Sequence, residues 1–364
     1  MSLSEILKRE NNNIDLLRLF AALLVAWSHA PGLSVKFPLP LNVGLGGLGV
    51  AVFFFLSGML VTNSLVGKKN PMAFVWSRFM RIYPAYFVVL LFSVFVIGPI
   101  FTASSVGDYF SSSDTWQFLG DNARLRIRYY LPGLWQDHAD ASVNASVWTI
   151  PLEVGCYICL LFAYISCRSL KLKPWMFVVV ALAFSVLPHD WFVHLLGKGY
   201  SIVDHVDLFC FAIGAAMALN QVKVRINITL IVVMLMMCVM AWRCQNIISY
   251  LFPLTASFVL LYATSVAPLL KFRLKHDISY GLYLWHWPVY QVMLTFLGGI
   301  NPYLFFLVCM IVVAAISFLS ARFVEEPCLE LGRRMGKRDT RMPHNGIFLF
   351  LLSIVAFMIA KFLF

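Results

Sequence analysis

Arg18 and His29 stand eleven residues apart in an otherwise apolar stretch, IDLLRLFAALLVAWSHAP, residues 14–31. Eleven steps of about 100° leave about 20° of offset on an α-helix, so both side chains project from one face, about 16 Å apart along the axis. Ionisable groups inside a spanning helix are costly; they usually face a bundle interior and serve a function. A guanidinium can hold a phosphate group. An imidazole, with an unperturbed pKa of about 6.5, can move a proton near neutrality. The separation is comparable to an extended pantetheine arm. It suits a long phosphorylated carrier held at one end and reacting at the other. The plainer alternative is an Arg that snorkels to the headgroups and a His that packs through a hydrogen bond.

Other candidates lie further along. Arg78 and Arg81, in SRFMRIYP, are three apart and share a helix face. They fit either a basic cytoplasmic flank or a clamp on a polyphosphate. Glu153, in SVWTIPLEVGCY, falls at a depth similar to that of His29, so it is expected to orient the imidazole as the second half of an acid/base dyad. The alternative is a carboxylate exposed at an outer vestibule. His286, in SYGLYLWHWP, precedes Pro288, whose kink can line a cavity; a shaping or hydrogen-bonding role is expected. Glu325, Glu326 and Pro327 either brace the arginine pair or end a helix. Asp204, His205 and Asp207 lack the spacing of a strong metal-ligand signature, and no metal is expected. Gly44-x-Gly46-x-x-Gly49 matches a dinucleotide fingerprint literally, but no strand precedes it, so it reads as close helix packing. Cys156-x-x-Cys159 lies in an apolar run without partner pairs and reads as packing thiols.

These residues need a membrane scaffold to position them. The chain has 364 residues, 61% hydrophobic and 12% charged, with a mean hydropathy of +0.82. Soluble domains carry about 25% charged residues. The expectation is an all-α, polytopic transmembrane helix bundle forming one domain over 1–364. Runs of about 17–25 apolar residues suit a span. Such runs, or near them, fall at 14–31, 46–66, 83–101, 147–167, 174–189, 203–219, 226–242, 247–267, 278–297, 302–323 and 347–364, giving ten to eleven spans. The run at 174–189 is short, and 347–364 contains Lys361, an extra C-terminal span. The N-terminus is polar and lacks a cleavage pattern, so the first span is expected to remain as an anchor. With a cytoplasmic N-terminus, alternate connecting segments are rich in Lys and Arg, as the positive-inside rule requires. The net charge of +11 is then a topology signal, and nucleic acid is not an expected partner. One long outer segment, 102–146, mixes Asp108, Asp114, Asp121, Asp137 and Asp140 with Tyr109, Trp116, Tyr129, Tyr130 and Trp135. It reads equally as a sugar-binding loop and as an interfacial cap in the headgroup belt.

Arg18-x10-His29, the glycine-rich run into FFFLSG, RFMRIYP, VWTIPLE, SYGLYLWHWP and VEEP occur in the order seen in membrane acyltransferase family 3, which includes polysaccharide O-acetyltransferases. The resemblance covers nearly the whole chain. It implies transfer of an acyl group, usually acetyl, from cytoplasmic acyl-CoA to a glycan hydroxyl at or beyond the outer face of a bacterial inner membrane. On that resemblance Arg18, Arg78 and Arg81 engage acetyl-CoA as the donor and His29 is the catalytic histidine. His286, Trp148 and Glu326 fall in support of substrate or structure. Some members carry a fused extracytoplasmic esterase-like domain, and none is expected within these 364 residues. His29 would act as general base on the hydroxyl or accept the acyl group first.

A secondary transporter or flippase for a glycan is the competing class, since it too uses intramembrane charge and Pro-broken helices. No inverted repeat is visible, and the six motifs favour the enzyme. A non-catalytic scaffold would not need Arg18, His29 and Glu153 within the membrane.

Overall fold

The computed structural model describes residues 2–33, 44–68, 70–171, 173, 202–219 and 224–338. Every regular element among them is helical. A short turn, α1 (Leu3–Ile6), leads to α2 (Ile14–His29), α3 (Leu45–Lys68) and α4 (Pro71–Phe92). A π turn, Ser93–Ile97, carries α4 on into α5 (Gly98–Phe101). Two small helices, α6 (Val106–Ser111) and α7 (Ser113–Ala123), precede α8 (Thr149–Ser169). Then come α9 (Ile202–Leu219), α10 (Ile228–Met240), α11 (Gln245–Ala263), α12 (Ala267–Leu270), α13 (Ser279–Leu297) and α14 (Pro302–Ser320). A second π turn, Ala321–Glu325, joins α14 to α15 (Glu326–Arg338).

Five of these stretches are long and apolar enough to cross a membrane: Leu45–Gly67, Pro71–Phe101, Ala145–Ser169, Gln245–Ala263 and Pro302–Gly336. Two more, His205–Leu219 and Ile228–Met240, are apolar but shorter. The runs at 174–189 and 347–364 lie outside the described residues. Neither α2 nor α13 is among the five. The first is 16 residues long and carries Asp15 and Arg18; the second carries His286 and Gln291 amid Tyr and Trp. Both have polar groups because they line the interior. The lipid face is built elsewhere, from exposed apolar side chains such as Met236 and Val239 on α10 and Leu307 and Ile311 on α14. Such a surface is stable only in hydrocarbon.

Two boundaries differ from the sequence expectation. The span expected from 83 begins at Pro71, as α4, so Arg78 and Arg81 sit inside it. Asn70 starts it, its side chain accepting from the N–H groups of Met72 (3.0 Å) and Ala73 (3.2 Å), with Pro71 at the first helical position. The segment after the run at 302–323 is helical through Arg338. Its glycines lie against α4: a Cβ on Gly332 would meet Met80 Cβ at 3.0 Å, and one on Gly336 would meet Ala73 Cα at 2.9 Å. Arg333 and Arg334 stay exposed on the other face.

Helix α3 is the axis of the bundle, packed by α2 and α9. A Cβ on Gly58 would lie 2.1 Å from Phe211 O, and one on Gly214 2.2 Å from Phe55 O, so α3 and α9 touch backbone to backbone. Gly46 and Gly49 abut Ser28 and Ala21 of α2, which places these two glycines of the motif in helix packing. The polar N-terminus is pinned to the segment before α13. Asn13 caps α2 and its Nδ2 donates to the carbonyls of Leu269 (2.8 Å) and Phe272 (2.5 Å).

The segment 102–147 folds into a cap. Tyr109 is fully buried and donates to Val94 O (3.0 Å) in the first π turn; burial pushes its phenol up to about 12. Trp135 is also buried. These two are core residues of the cap, whereas Trp116 and Tyr130 are exposed.

Candidate active site

Asp277 organises the inner end of the site. It lies just before α13, outside the span, and sequence reading passed it over as part of a basic loop. Its Oδ1 accepts from the N–H (3.1 Å) and hydroxyl (2.5 Å) of Ser279, satisfying the first free N–H of α13 from two residues upstream. Its Oδ2 takes two guanidiniums, Arg18 from α2 by a very short contact and Arg81 from α4 at 2.8 Å. Burial favours the neutral acid, but Arg18 and Arg81 outweigh it and hold the carboxyl well below the usual range. The guanidinium of Arg81 also lies 5.9 Å from the Tyr280 ring centre. His276, the preceding residue, pairs with Glu326 Oε1 at 2.6 Å. Glu326 therefore braces the segment that carries Asp277, and not the arginines directly. Glu325 is buried and accepts from Ser320 Oγ at 3.1 Å.

Arg78, one turn from Arg81, has no carboxylate partner within salt-bridge distance among the described residues. Its guanidinium lies 5.9 Å from the Tyr157 ring centre and within 3.4 Å of Ser77 Oγ. Arg18, Arg78 and Arg81 all line one cavity of about 860 Å³, counting its open mouth, with Glu153, Tyr157 and Ser57 on its wall. Guanidiniums lining such a pocket can accept an anion by charge-assisted hydrogen bonds.

At the other end of α2, His29 Nδ1 lies 2.9 Å from His286 Nε2. The rings are parallel within 2°, with centroids 5.2 Å apart. His286 is fully buried, and its Nδ1 lies 3.1 Å from Leu282 O. A carbonyl only accepts, so His286 Nδ1 carries the proton and its Nε2 is an acceptor in the neutral ring. His29 Nδ1–H donates to it, and the lone pair of neutral His29 is on Nε2. The chain of two hydrogen bonds fixes both tautomers. Arg18 and His29 thus both meet the α13 segment, at Asp277 and His286, and the α2–α13 seam connects the two ends of the site. Tyr283 stands between: it lines the cavity, and its ring centre is 6.2 Å from that of His286.

The dyad expected between Glu153 and His29 is corrected. Glu153 Oε1 accepts from Tyr157 OH in a very short contact and from Ser57 Oγ at 3.2 Å, on the cavity wall. Counting residues along two helices sets depth but not azimuth, and Glu153 bonds to Ser57 of α3 and Tyr157, while His29 bonds to His286. Trp148 ends the 3-10 turn Ala145–Trp148 before α8, half-buried and off the cavity lining. His205 and Asp207 are buried on α9.

Comparisons with known proteins identify the family. A family model described as an acyltransferase domain matches residues 11–322, which include every arginine, histidine and carboxylate of the cavity and the histidine pair. An O-acetyl transferase of Shigella phage Sf6 is 28% identical over 338 residues, spanning 87% of this chain and 96% of that protein. Nodulation protein 10 of Rhizobium leguminosarum bv. viciae is 26% identical over 348 residues, spanning 88% and 94%. No solved structure matches the chain significantly. The class of protein is a membrane-bound acyltransferase. The chain belongs to acyltransferase family 3, and the match runs over most of its length.

Proposed function

We propose that the protein is an O-acetyltransferase of a bacterial inner membrane, moving acetyl from cytoplasmic acetyl-CoA to a hydroxyl of a surface or lipid-linked polysaccharide. The observation that carries this is the division of the site into an arginine-lined cavity and a tautomer-fixed histidine pair at opposite ends of one helix seam. The phosphates of CoA dock on Arg78, beside the Arg18–Asp277–Arg81 cluster. The pantetheine arm extends along the cavity, bringing the thioester past Tyr283 toward His29. His29 Nε2 takes the proton of the acceptor hydroxyl as its oxygen attacks the thioester carbonyl; the C–S bond breaks and the proton passes to the leaving thiolate, giving CoA-SH and an ester. An acyl-histidine route would use the same lone pair. Glu153, held by Tyr157 and Ser57, places negative charge beside Arg78 and keeps that cation oriented. The O-acetyl transferase relative and the family match support ester formation, and the basic inner segments support a cytoplasmic donor.

The assay is transfer of labelled acetyl from acetyl-CoA to glycan by purified protein, with release of free CoA. A transporter would bind glycan without releasing thiol. Arg78→Ala is expected to weaken acetyl-CoA binding about tenfold or more, because a hydrogen bond to a charged group contributes about 1.5–3 kcal/mol. It should do so without loss of thermal stability, since no ion pair is broken. Unchanged donor affinity would leave Arg78 as a topology residue only.

The proposed orientation, with ten to eleven spans, places the N-terminus and Lys271 in the cytoplasm and the cap 102–146 outside. In a Cys-free background, Ser113→Cys should react with an impermeant maleimide in intact spheroplasts and Lys271→Cys only after lysis. The reverse pattern would invert the topology.

A further inference from the structure

The cap is fastened to α13 immediately beside the histidine pair. His138 Nδ1 donates to Gln291 Oε1 (2.9 Å), and Gln291 Nε2 donates to the carbonyls of Asp140 (2.6 Å) and Ser142 (2.6 Å). Trp287 Nε1 donates to Ser142 O (3.0 Å), and Asn144 Nδ2 to Leu284 O (2.9 Å). Loop residues 138–144 are therefore set by side chains of the same helix that carries His286. Two groups in this fastening remain accessible. Every residue of α13 from Ser279 to Gln291 is buried except Trp287. The Trp287 ring meets His29 edge-on, centroids 5.0 Å apart. Asp140 is exposed; its Oδ1 accepts from Ser142 N–H at 2.8 Å, and its charge acts on the His29 ring. Neither Trp287, Asp140 nor His29 lines the arginine cavity.

We propose that Asp140 and Trp287 form the acceptor subsite, which takes a sugar whose reacting hydroxyl is presented to His29 Nε2. The chemistry is that of a pyranose. Its apolar C–H face covers an indole, and its hydroxyls donate to a carboxylate, which can only accept. A negative charge at this place also rejects a second acyl-CoA from the acceptor side. Gln291 and His138 are positioning residues: they hold the loop that presents Asp140 and touch no substrate. The subsite rests on the glycan-acylating function proposed above and adds to it which residues select the acceptor.

The test uses the full-length protein in nanodiscs, radiolabelled acetyl-CoA, and the lipid-linked and surface polysaccharide of a host cell that lacks the gene. Asp140→Ala is expected to raise the acceptor KM about tenfold or more, the loss for one charged hydrogen bond, and Trp287→Leu about two- to tenfold, the loss for one aromatic contact. The donor KM should stay within about threefold, as both side chains lie off the donor cavity. Asp140→Asn, which keeps an acceptor oxygen, and Trp287→Phe, which keeps an aromatic face, should recover most of the acceptor affinity. Unchanged acceptor KM in Asp140→Ala and Trp287→Leu overturns the subsite while leaving the proposed function intact. A fall in kcat and donor affinity with acceptor KM unmoved assigns both residues to scaffolding and also overturns it. A wild-type protein that labels no polysaccharide removes the glycan reading itself, and the subsite with it.

Discussion

His29→Ala is expected to reduce acyl transfer by at least about 10²–10⁴-fold, the range for losing an acid/base group, and further if an acyl-histidine forms. Donor binding and expression should stay near wild type, because His29 is off the arginine cavity and leaves only one hydrogen bond unmade. The companion variants separate chemistry from packing. His286 is fully buried, and its Nε2 is the acceptor that holds His29. His286→Gln can place an amide oxygen near that nitrogen and should keep the larger part of activity. His286→Leu keeps apolar volume, loses the acceptor and should fall toward His29→Ala. The measurement is single-turnover transfer from labelled acetyl-CoA alongside donor affinity. A His29→Ala protein retaining more than about a tenth of wild-type transfer would lie outside that range and return His29 to packing.

Asp277→Ala is expected to cost about 3 kcal/mol of stability, near the low end for breaking a buried pair. Three things fail together: Arg18 and Arg81 lose their shared counter-ion, and the first N–H of α13 loses its acceptor. The three side chains keep 16–20% of their exposure, so some solvent screening remains and the upper end of the range does not apply. The loss should be non-additive. In the Asp277→Ala background, Arg81→Ala should cost much less than in the wild type, since the cation it removes is already unpaired. Because the folded carboxyl is held below its usual value, the contribution is complete above about pH 4 and fades only as pH falls toward the folded pKa. Chemical denaturation in detergent of the two single variants and the double variant gives the cycle. Strictly additive losses would mean that the ion cluster is not a unit.

The sequence carried the axial logic of the site well. The eleven-residue interval of Arg18 and His29 put both on one face, and the structure has both meeting the segment that bears Asp277 and His286. Arg78 and Arg81 were legible as a pair because i,i+3 spacing is local. What pairing each would make was not legible. Asp277 looks like an ordinary loop residue in KHDISYG, and only the fold brings three chain segments, near residues 18, 81 and 277, to one carboxylate. Glu153 was paired with His29 on depth alone, and depth along two helices says nothing of rotation about either. His286 was seen as a kink-side residue. Its role as the acceptor for His29 depends on the rotation of α2 against α13, which no one-dimensional pattern encodes. Glu326 was close in sequence to its role and acts through His276. The cap hid Asp140 in the same way, since a loop with five aspartates offers no sign of which one will be held against α13.

The π turn at Ala321–Glu325 also bears on how the gene can change. Such a turn holds one residue more than the α-helical turn it replaces. An added residue in an ordinary helix rotates everything downstream by about 100°. Here the surplus is absorbed within five positions, so α15 still lays Gly332 and Gly336 against Met80 and Ala73 of α4. Codons 321–325 are therefore a point where one triplet, such as that for the exposed Phe323, can be lost and the turn relax to α-helix with both flanking faces in phase. The same deletion among the buried positions of α14, at Cys309 or Val313, would swing α15 off its neighbour. Length variation here is cheap in one five-codon window and ruinous a few codons upstream.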